Sequence, residues 1–153
     1  MDETDRKLLK ATQDGIPLVK KPFAEVANSL GISEDEVLRR TRGLLDEGVI
    51  RRFGASIAHR KIGITANAMC VWNVPDERVD EVGNTIAGFD DVTHCYARLR
   101  TKDWKYNMFA MVHGRAKQEC EDVADRITKA IGIHDRKILF SEREFKKTGV
   151  RIE

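Results

Sequence analysis

The sequence predicts an α+β protein: an N-terminal helix-turn-helix followed by a ferredoxin-like βαββαβ sandwich. Three observations carry this reading. Apolar residues recur every three or four positions through the first fifty residues, the period then drops toward two in four separate stretches, and two helical stretches interrupt those four in the order of a split βαβ unit. With 153 residues and 41% hydrophobic content, the chain is long enough for a genuine core and too apolar for a disordered tail.

The first helix is predicted over Asp2 to Gln13 and is ended by the Asp14-Gly15 turn signal and Pro17. Pro22 starts the second. Its apolar positions Phe23, Val26, Ala27 and Leu30 share a face, and Gly31 follows as a left-handed cap. Ser33 with Glu36 three residues on reads as a capping box for the third helix, whose face is Val37, Leu38, Thr41, Leu44 and Leu45, with Gly48 beyond it. A basic strand, Val49 to Ile57, is expected next. The remainder reads as strand 64 to 74, helix 76 to 88, strands 91 to 100 and 105 to 113, helix 115 to 131 and strand 135 to 144. The expected domains are therefore a helix-turn-helix at 1–50, a connecting basic strand at 51–62, and a ligand-binding and dimerisation domain at 63–153. Both helices of that last domain should lie on one sheet face, leaving the other for a partner subunit or a ligand.

Composition excludes several functions. The formal charge of +2 is too small for affinity through bulk positive charge. Cys70, Cys95 and Cys120 are odd in number and widely spaced, which suggests neither a disulfide framework nor a structural zinc site and fits a reducing cytoplasm. The acidic start Met1, Asp2, Glu3 is unlike a signal peptide, and no apolar run approaches membrane-spanning length, so a soluble intracellular protein with no membrane association is expected. There is no glycine-rich phosphate loop, HExxH or GxSxG motif.

The first fifty residues hold eight basic and ten acidic side chains; the rest hold nineteen and fifteen. In a DNA reader the N-terminal turn of the third helix enters the major groove, and here that turn is Glu34, Asp35 and Glu36. Carboxylates there complement the helix dipole but oppose phosphate, which weakens a DNA-binding reading, although Arg39, Arg40 and Arg42 are near enough to reach phosphates. A transcriptional regulator sensing a small effector is accordingly the alternative reading.

Two polar strings stand out. In VTHCYARLR, period two places His94, Tyr96, Arg98 and Arg100 on one face, spanning roughly 20 Å, with Thr93, Cys95, Ala97 and Leu99 on the other. A proton donor at one end and guanidiniums at the other suit a large flat polyanion. The second string, Arg51, Arg52, His59, Arg60 and Lys61, lies in a stretch with no acid between residues 48 and 75. On a strand, Arg52, Gly54, Ser56, Ala58 and Arg60 would share a face with room for a bulky ligand. Met69, Trp72, Met108, Phe109 and Met111 are mostly core candidates, with one or two able to pack on a macrocycle. His113 alone reads as a hydrogen-bonded core or edge histidine.

Across essentially its whole length the chain resembles the Lrp/AsnC architecture. More narrowly, RRFGASIAHRKIGITANAMCVWNVP (51 to 75) and VTHCYARLRTKDWKYNMFAMVHG (92 to 114) resemble the signature stretches of the siroheme decarboxylases, the Ahb and Nir proteins of alternative haem and haem d1 synthesis, B-type rather than A-type. The resemblance implies removal of CO2 from the acetate side chains on rings C and D of siroheme, giving didecarboxysiroheme. It also implies a heterodimer with an A-type paralogous subunit, a homodimer being the alternative, and no cofactor beyond the iron tetrapyrrole substrate. The motif residues it carries over are Arg52, His59, Arg60, His94, Tyr96, Arg98, Trp104, Tyr106, Asn107 and His113.

Given such a substrate, His94 is expected as the acid that protonates carbon, with Tyr96 as orienter or alternative acid. Arg52, Arg60, Arg98 and Arg100 are expected to hold carboxylates that do not react, because an arginine on the departing carboxylate would stabilise the ground state more than the transition state. One of His59, His94 or His113 as axial ligand to the substrate iron competes with the acid role.

Overall fold

The computed structural model describes every residue except Ser56, Gly149 and Glu153, and leaves the side chain of His59 undescribed. The chain divides into two compact units, Met1–Ser56 with Lys146–Glu153, and Ile57–Phe145.

The first unit contains α1 (Glu3–Thr12), α2 (Pro22–Leu30) and α3 (Glu34–Asp46). Asp2 and Asp5 cap α1 reciprocally, each side chain accepting the other's backbone N–H at 2.8 and 2.7 Å. Gly31, at φ 68°, closes α2 in the left-handed conformation that a residue with a Cβ resists. Leu8, Val26, Ala27, Val37 and Leu44 form the core. Ser33 does cap α3, accepting the Glu36 N–H at 3.2 Å, but the reciprocal half of the expected box is not formed. The Glu36 carboxylate turns instead to Arg39 (2.6 and 2.8 Å) and Arg40 (2.7 Å). Arg40 also reaches Asp2 and Asp5, both at 2.7 Å, and so ties α3 to the start of α1.

The expected basic strand is not formed. Residues 49 to 55 carry no ladder partner, and His59–Ile62 is a single 3-10 turn; Arg52, Gly54, Ala58 and Arg60 therefore share no strand face, and Ser56 lies outside the described residues. No complementary strand lies nearby in sequence, so that stretch has nothing to pair with. The C-terminal tail belongs to the first unit and not to the sheet: Arg151 pairs with both oxygens of Asp14 (2.9 and 2.7 Å), and the Ile152 N–H donates to the Gln13 side chain at 2.9 Å.

The second unit runs β1 (Ala66–Trp72), α4 (Val79–Ala87), β2 (Val92–Ala97), β3 (Met108–Gly114), α5 (Lys117–Ile131), β4 (Arg136–Phe140). The strands are antiparallel in the order β2-β3-β1-β4, the split βαβ arrangement. Alternation sends Ala68, Cys70 and Trp72 of β1 and Met108, Ala110 and Val112 of β3 toward Val82 and Ile86 of α4 and Val123, Ala124 and Ile127 of α5. Ala68 and Ala110 are small enough to admit the helices, and Trp72 fills the remaining volume while its indole N–H donates to Thr128 at 3.0 Å. A Cβ on Gly114 would sit 3.2 Å from Cys120 Sγ and 3.1 Å from Glu119 Cβ, so glycine lets α5 turn in tightly after β3. Trp72 and Met108 are thus core, while Met69, Phe109 and Met111 are half-buried on the opposite face.

The Arg40 cluster has a pH signature. Hydrogen bonding to Arg40 holds the Asp2 carboxyl down at about 2, from an ordinary 3.8, and Arg39 lowers Glu36. A depressed carboxylate contributes stability above its unfolded pKa and loses that contribution as pH falls through the folded value. The thermal midpoint should therefore fall between pH 4 and pH 2, and fall less steeply in Arg40→Met, measured by far-ultraviolet circular dichroism; parallel profiles would contradict the pairing.

Candidate functional site

Within the second unit, α4 and α5 both pack on one side of the sheet. On the other, register places His94, Met111, Met69 and Leu139 in a row across β2, β3, β1 and β4, and Tyr96, Phe109, Val71 and Lys137 in the next. At the usual strand spacing each row spans roughly 14 Å. Tyr96 and Leu139 are exposed at 54% and 43%, and Met69, Met111 and Phe109 are half-buried. The open face therefore has an apolar floor beside a polar edge on β2.

That edge is more organised than alternation predicts. Val92 pairs with Val112 and His94 with Met111, so Thr93 is the extra residue of a β-bulge. The bulge turns Thr93 away from the helix side expected for it and places its hydroxyl 3.0 Å from His94 Nδ1 and 3.0 Å from His113 Nε2. His113 Nδ1 in turn lies 2.5 Å from Oδ1 of Asn67, a buried residue on β1. The imidazole of His94 is exposed and stacks on Tyr96, with ring centroids 6.2 Å apart. Arg98, just past the end of β2, lays its guanidinium over the Phe109 ring at 5.0 Å. His94, Tyr96, Arg98 and His113 are brought together on one surface.

Other expected residues are not with them. Arg100 lies three positions beyond the end of β2, and its guanidinium is engaged by Asp76, Asn73 and the carbonyls of Val74 and Lys105, so it braces the loop. Asn107 is buried and pairs in both directions with the Val74 backbone, accepting its N–H at 2.8 Å and donating to its carbonyl at 2.9 Å. That is an internal brace in place of the expected substrate contact. Tyr106 is buried edge-on against Trp104 at 5.1 Å, with Lys137 near both rings. Arg60 is exposed, 4.0 Å from Glu144. Arg52 lies in the helical unit, on a cleft of about 330 Å³ lined by Leu8, Phe53 and Ile152 among others. The side chain of His59 lies outside the described residues.

Asn67 and Thr93 escaped the sequence reading. Asn67 had a signal, being the one polar residue in ANAMCVW; Thr93 had none, since nothing in its sequence marks a bulge. The cysteines are free thiols, and burial pushes Cys70 up to about 12, which makes it a poor nucleophile. Among the described residues no group of histidine, cysteine and carboxylate side chains is arranged to hold a metal ion, and no helix is long and apolar enough to cross a membrane.

An open antiparallel sheet joined to a helix-turn-helix defines a class. Residues 61–146 match the AsnC-like ligand binding domain, and residues 5–51 match the siroheme decarboxylase NirDL-like helix-turn-helix domain. The Lrp/AsnC-like fold is seen also in the leucine response regulatory protein LrpA of Mycobacterium tuberculosis, with TM-score 0.77 at 20% identity over the full length of both chains. Within that class, the chain is 61% identical to the siroheme decarboxylase beta subunit of Methanosarcina barkeri, over 99% of this chain and all of that one. It is 39% identical to the siroheme decarboxylase NirDL crystallised with an iron-uroporphyrin III analogue, with TM-score 0.66 over 99% of this chain and 47% of that one. This chain thus spans about half the length of NirDL. It belongs to the siroheme decarboxylase family.

The Asn107 brace predicts a stability effect. Asn107→Leu strands the buried Val74 N–H while the Val74 carbonyl keeps Arg100, and should lower unfolding free energy by about 1–3 kcal/mol in urea titration; a loss under about 0.5 kcal/mol would show that water replaces the amide.

Proposed function

We propose that this chain is a subunit of a siroheme decarboxylase, a carboxy-lyase that removes CO2 from the acetate side chains on rings C and D of siroheme and yields didecarboxysiroheme, for alternative haem or haem d1 synthesis in the cytoplasm. The observation that supports it most is the open sheet face, where His94, Tyr96 and Arg98 border a floor of Met69, Met111 and Phe109. A flat macrocycle with carboxylates on its rim asks for apolar contact beneath and cations at the edge.

Losing CO2 leaves an electron pair on a methylene carbon. The macrocycle of the substrate disperses that charge, and the protein has to place a proton on the carbon. His94 is assigned this step: its ring is exposed beside Tyr96, and a protonated imidazole is a competent general acid. Tyr96 orients it. A nitrogen bonded to iron has no proton to give, and His113 has both ring nitrogens engaged by Thr93 and Asn67, so neither is assigned to the substrate iron. Arg98 holds a carboxylate that does not react, with Arg60 as a further candidate and Arg100 withdrawn from the set. The reacting acetate then lies over the less polar surface near Met111, away from guanidinium groups that would stabilise its ground state. No cofactor beyond the substrate is required, and an A-type paralogue is the proposed partner.

A DNA-binding role is not proposed, because Arg39 and Arg40 are paired with carboxylates and the tip of α3 is acidic. The chain, alone and with an A-type subunit, should convert siroheme anaerobically to a product lighter by two CO2, followed by mass and visible spectrum, and should not retain promoter DNA. His94→Ala should lower turnover about 10²–10⁴-fold with siroheme still bound, and Arg98→Ala should weaken binding about tenfold, or about 1.4 kcal/mol. Full turnover in His94→Ala would remove it as the acid.

A further inference from the structure

We infer that Thr93, the bulge residue, and the buried Asn67 are positioning residues that select which ring nitrogen of His94 faces the substrate. The inference rests on the assignment of His94 above and deepens it.

The four side chains form one hydrogen-bonded chain, Asn67 to His113 to Thr93 to His94. Its direction follows from the one member that has no choice. Asn67 Oδ1 only accepts, so the His113 nitrogen 2.5 Å from it, Nδ1, carries a proton. In a neutral His113 the other nitrogen, Nε2, is then an acceptor and takes the Thr93 hydroxyl proton at 3.0 Å. That hydroxyl has a second and longer acceptor in the Met111 carbonyl, at 3.4 Å. With its proton directed to His113, the Thr93 oxygen accepts from His94 Nδ1–H at 3.0 Å. The neutral His94 is thereby held as the Nδ1–H tautomer, and Nε2 is the nitrogen turned to the open face.

This tautomer is the one the reaction needs. An imidazolium that gives its Nε2 proton to carbon is left with the proton on Nδ1, already bonded to Thr93. No tautomer exchange or ring flip separates the acid from its spent form, and recharging occurs at the same nitrogen. The bulge makes this geometry available: in an unbroken ladder Thr93 points to the helix side, where Cys95 and Ala97 point, and no hydroxyl lies between the two histidines. Asn67 acts at the far end, where burial removes competing water.

Two measurements test this. In the free chain, histidine ¹⁵N shifts near pH 8 should show His94 as the Nδ1–H tautomer, and Thr93→Val should remove that preference while circular dichroism and melting stay near wild type. In decarboxylation by the chain assembled with its partner, Thr93→Val should lower kcat about tenfold or more with KM for siroheme changed less than about twofold, and Thr93→Ser should restore it, since serine keeps the hydroxyl. Asn67→Leu should weaken the preference in the same direction. An Nε2–H tautomer in wild type, unchanged kcat in Thr93→Val, or a Thr93→Ser variant no better than valine would each overturn the positioning role. Activity in His94→Ala would overturn the acid assignment instead, and the tautomer result in the free chain would be unaffected by it.

Discussion

A four-stranded sheet with two helices has cover for one face only, and the properties of the second unit follow from this. Side chains alternate along every strand, so whatever is not directed at α4 and α5 faces outward. A protein that left this face to water would fill it with charged and hydroxylated residues. Here it carries Met69, Met111, Phe109 and Leu139, with His94 and Tyr96 on β2, Arg98 just beyond that strand and Lys137 on β4. Such a surface is unfavourable in water, and its burial against a flat amphipathic ligand or another sheet recovers the hydrophobic term that the chain leaves unused.

The arginines divide the same molecule into parts that hold itself together and parts that do not. Arg40, Arg100, Arg136 and Arg151 are each bound to carboxylates of their own unit, Arg100 and Arg136 also to other internal acceptors. Arg98 rests on an aromatic ring, where the guanidinium keeps its donors available at the rim of the open face. Counting basic residues along the sequence does not separate these groups. What separates them is whether the fold brings an acid or a carbonyl within about 3 Å, which is a long-range property.

That difference explains how much could be read from residues alone. The five helices, the four strands and their order were legible because each rests on local period and on caps such as Gly31 and Ser33. The edge formed by His94 and Tyr96 was legible by alternation, and the family by wording in 51–75 and 92–114. The expected basic strand was not formed because a β-propensity stretch needs a neighbour, and residues 49 to 55 have none. Arg100 and Asn107 were misread because their partners, Asp76 and Val74, lie more than twenty residues away. Thr93 was placed on the wrong side because one extra residue in a ladder reverses the alternation that located everything else.

The sheet face opposite α4 and α5 is the proposed seat of siroheme. The four methionines sample the possibilities: Met69 and Met111 on that face, Met108 in the core against the helices, and Met1 at the exposed N-terminus. Methionine-methyl ¹³C spectra of the labelled chain, recorded with its unlabelled partner while siroheme is added, read all four at once. Selective shift or broadening of Met69 and Met111, with Met108 less affected and Met1 unchanged, is the predicted result. Binding that leaves Met69 and Met111 unmoved would place the pigment elsewhere and contradict the account.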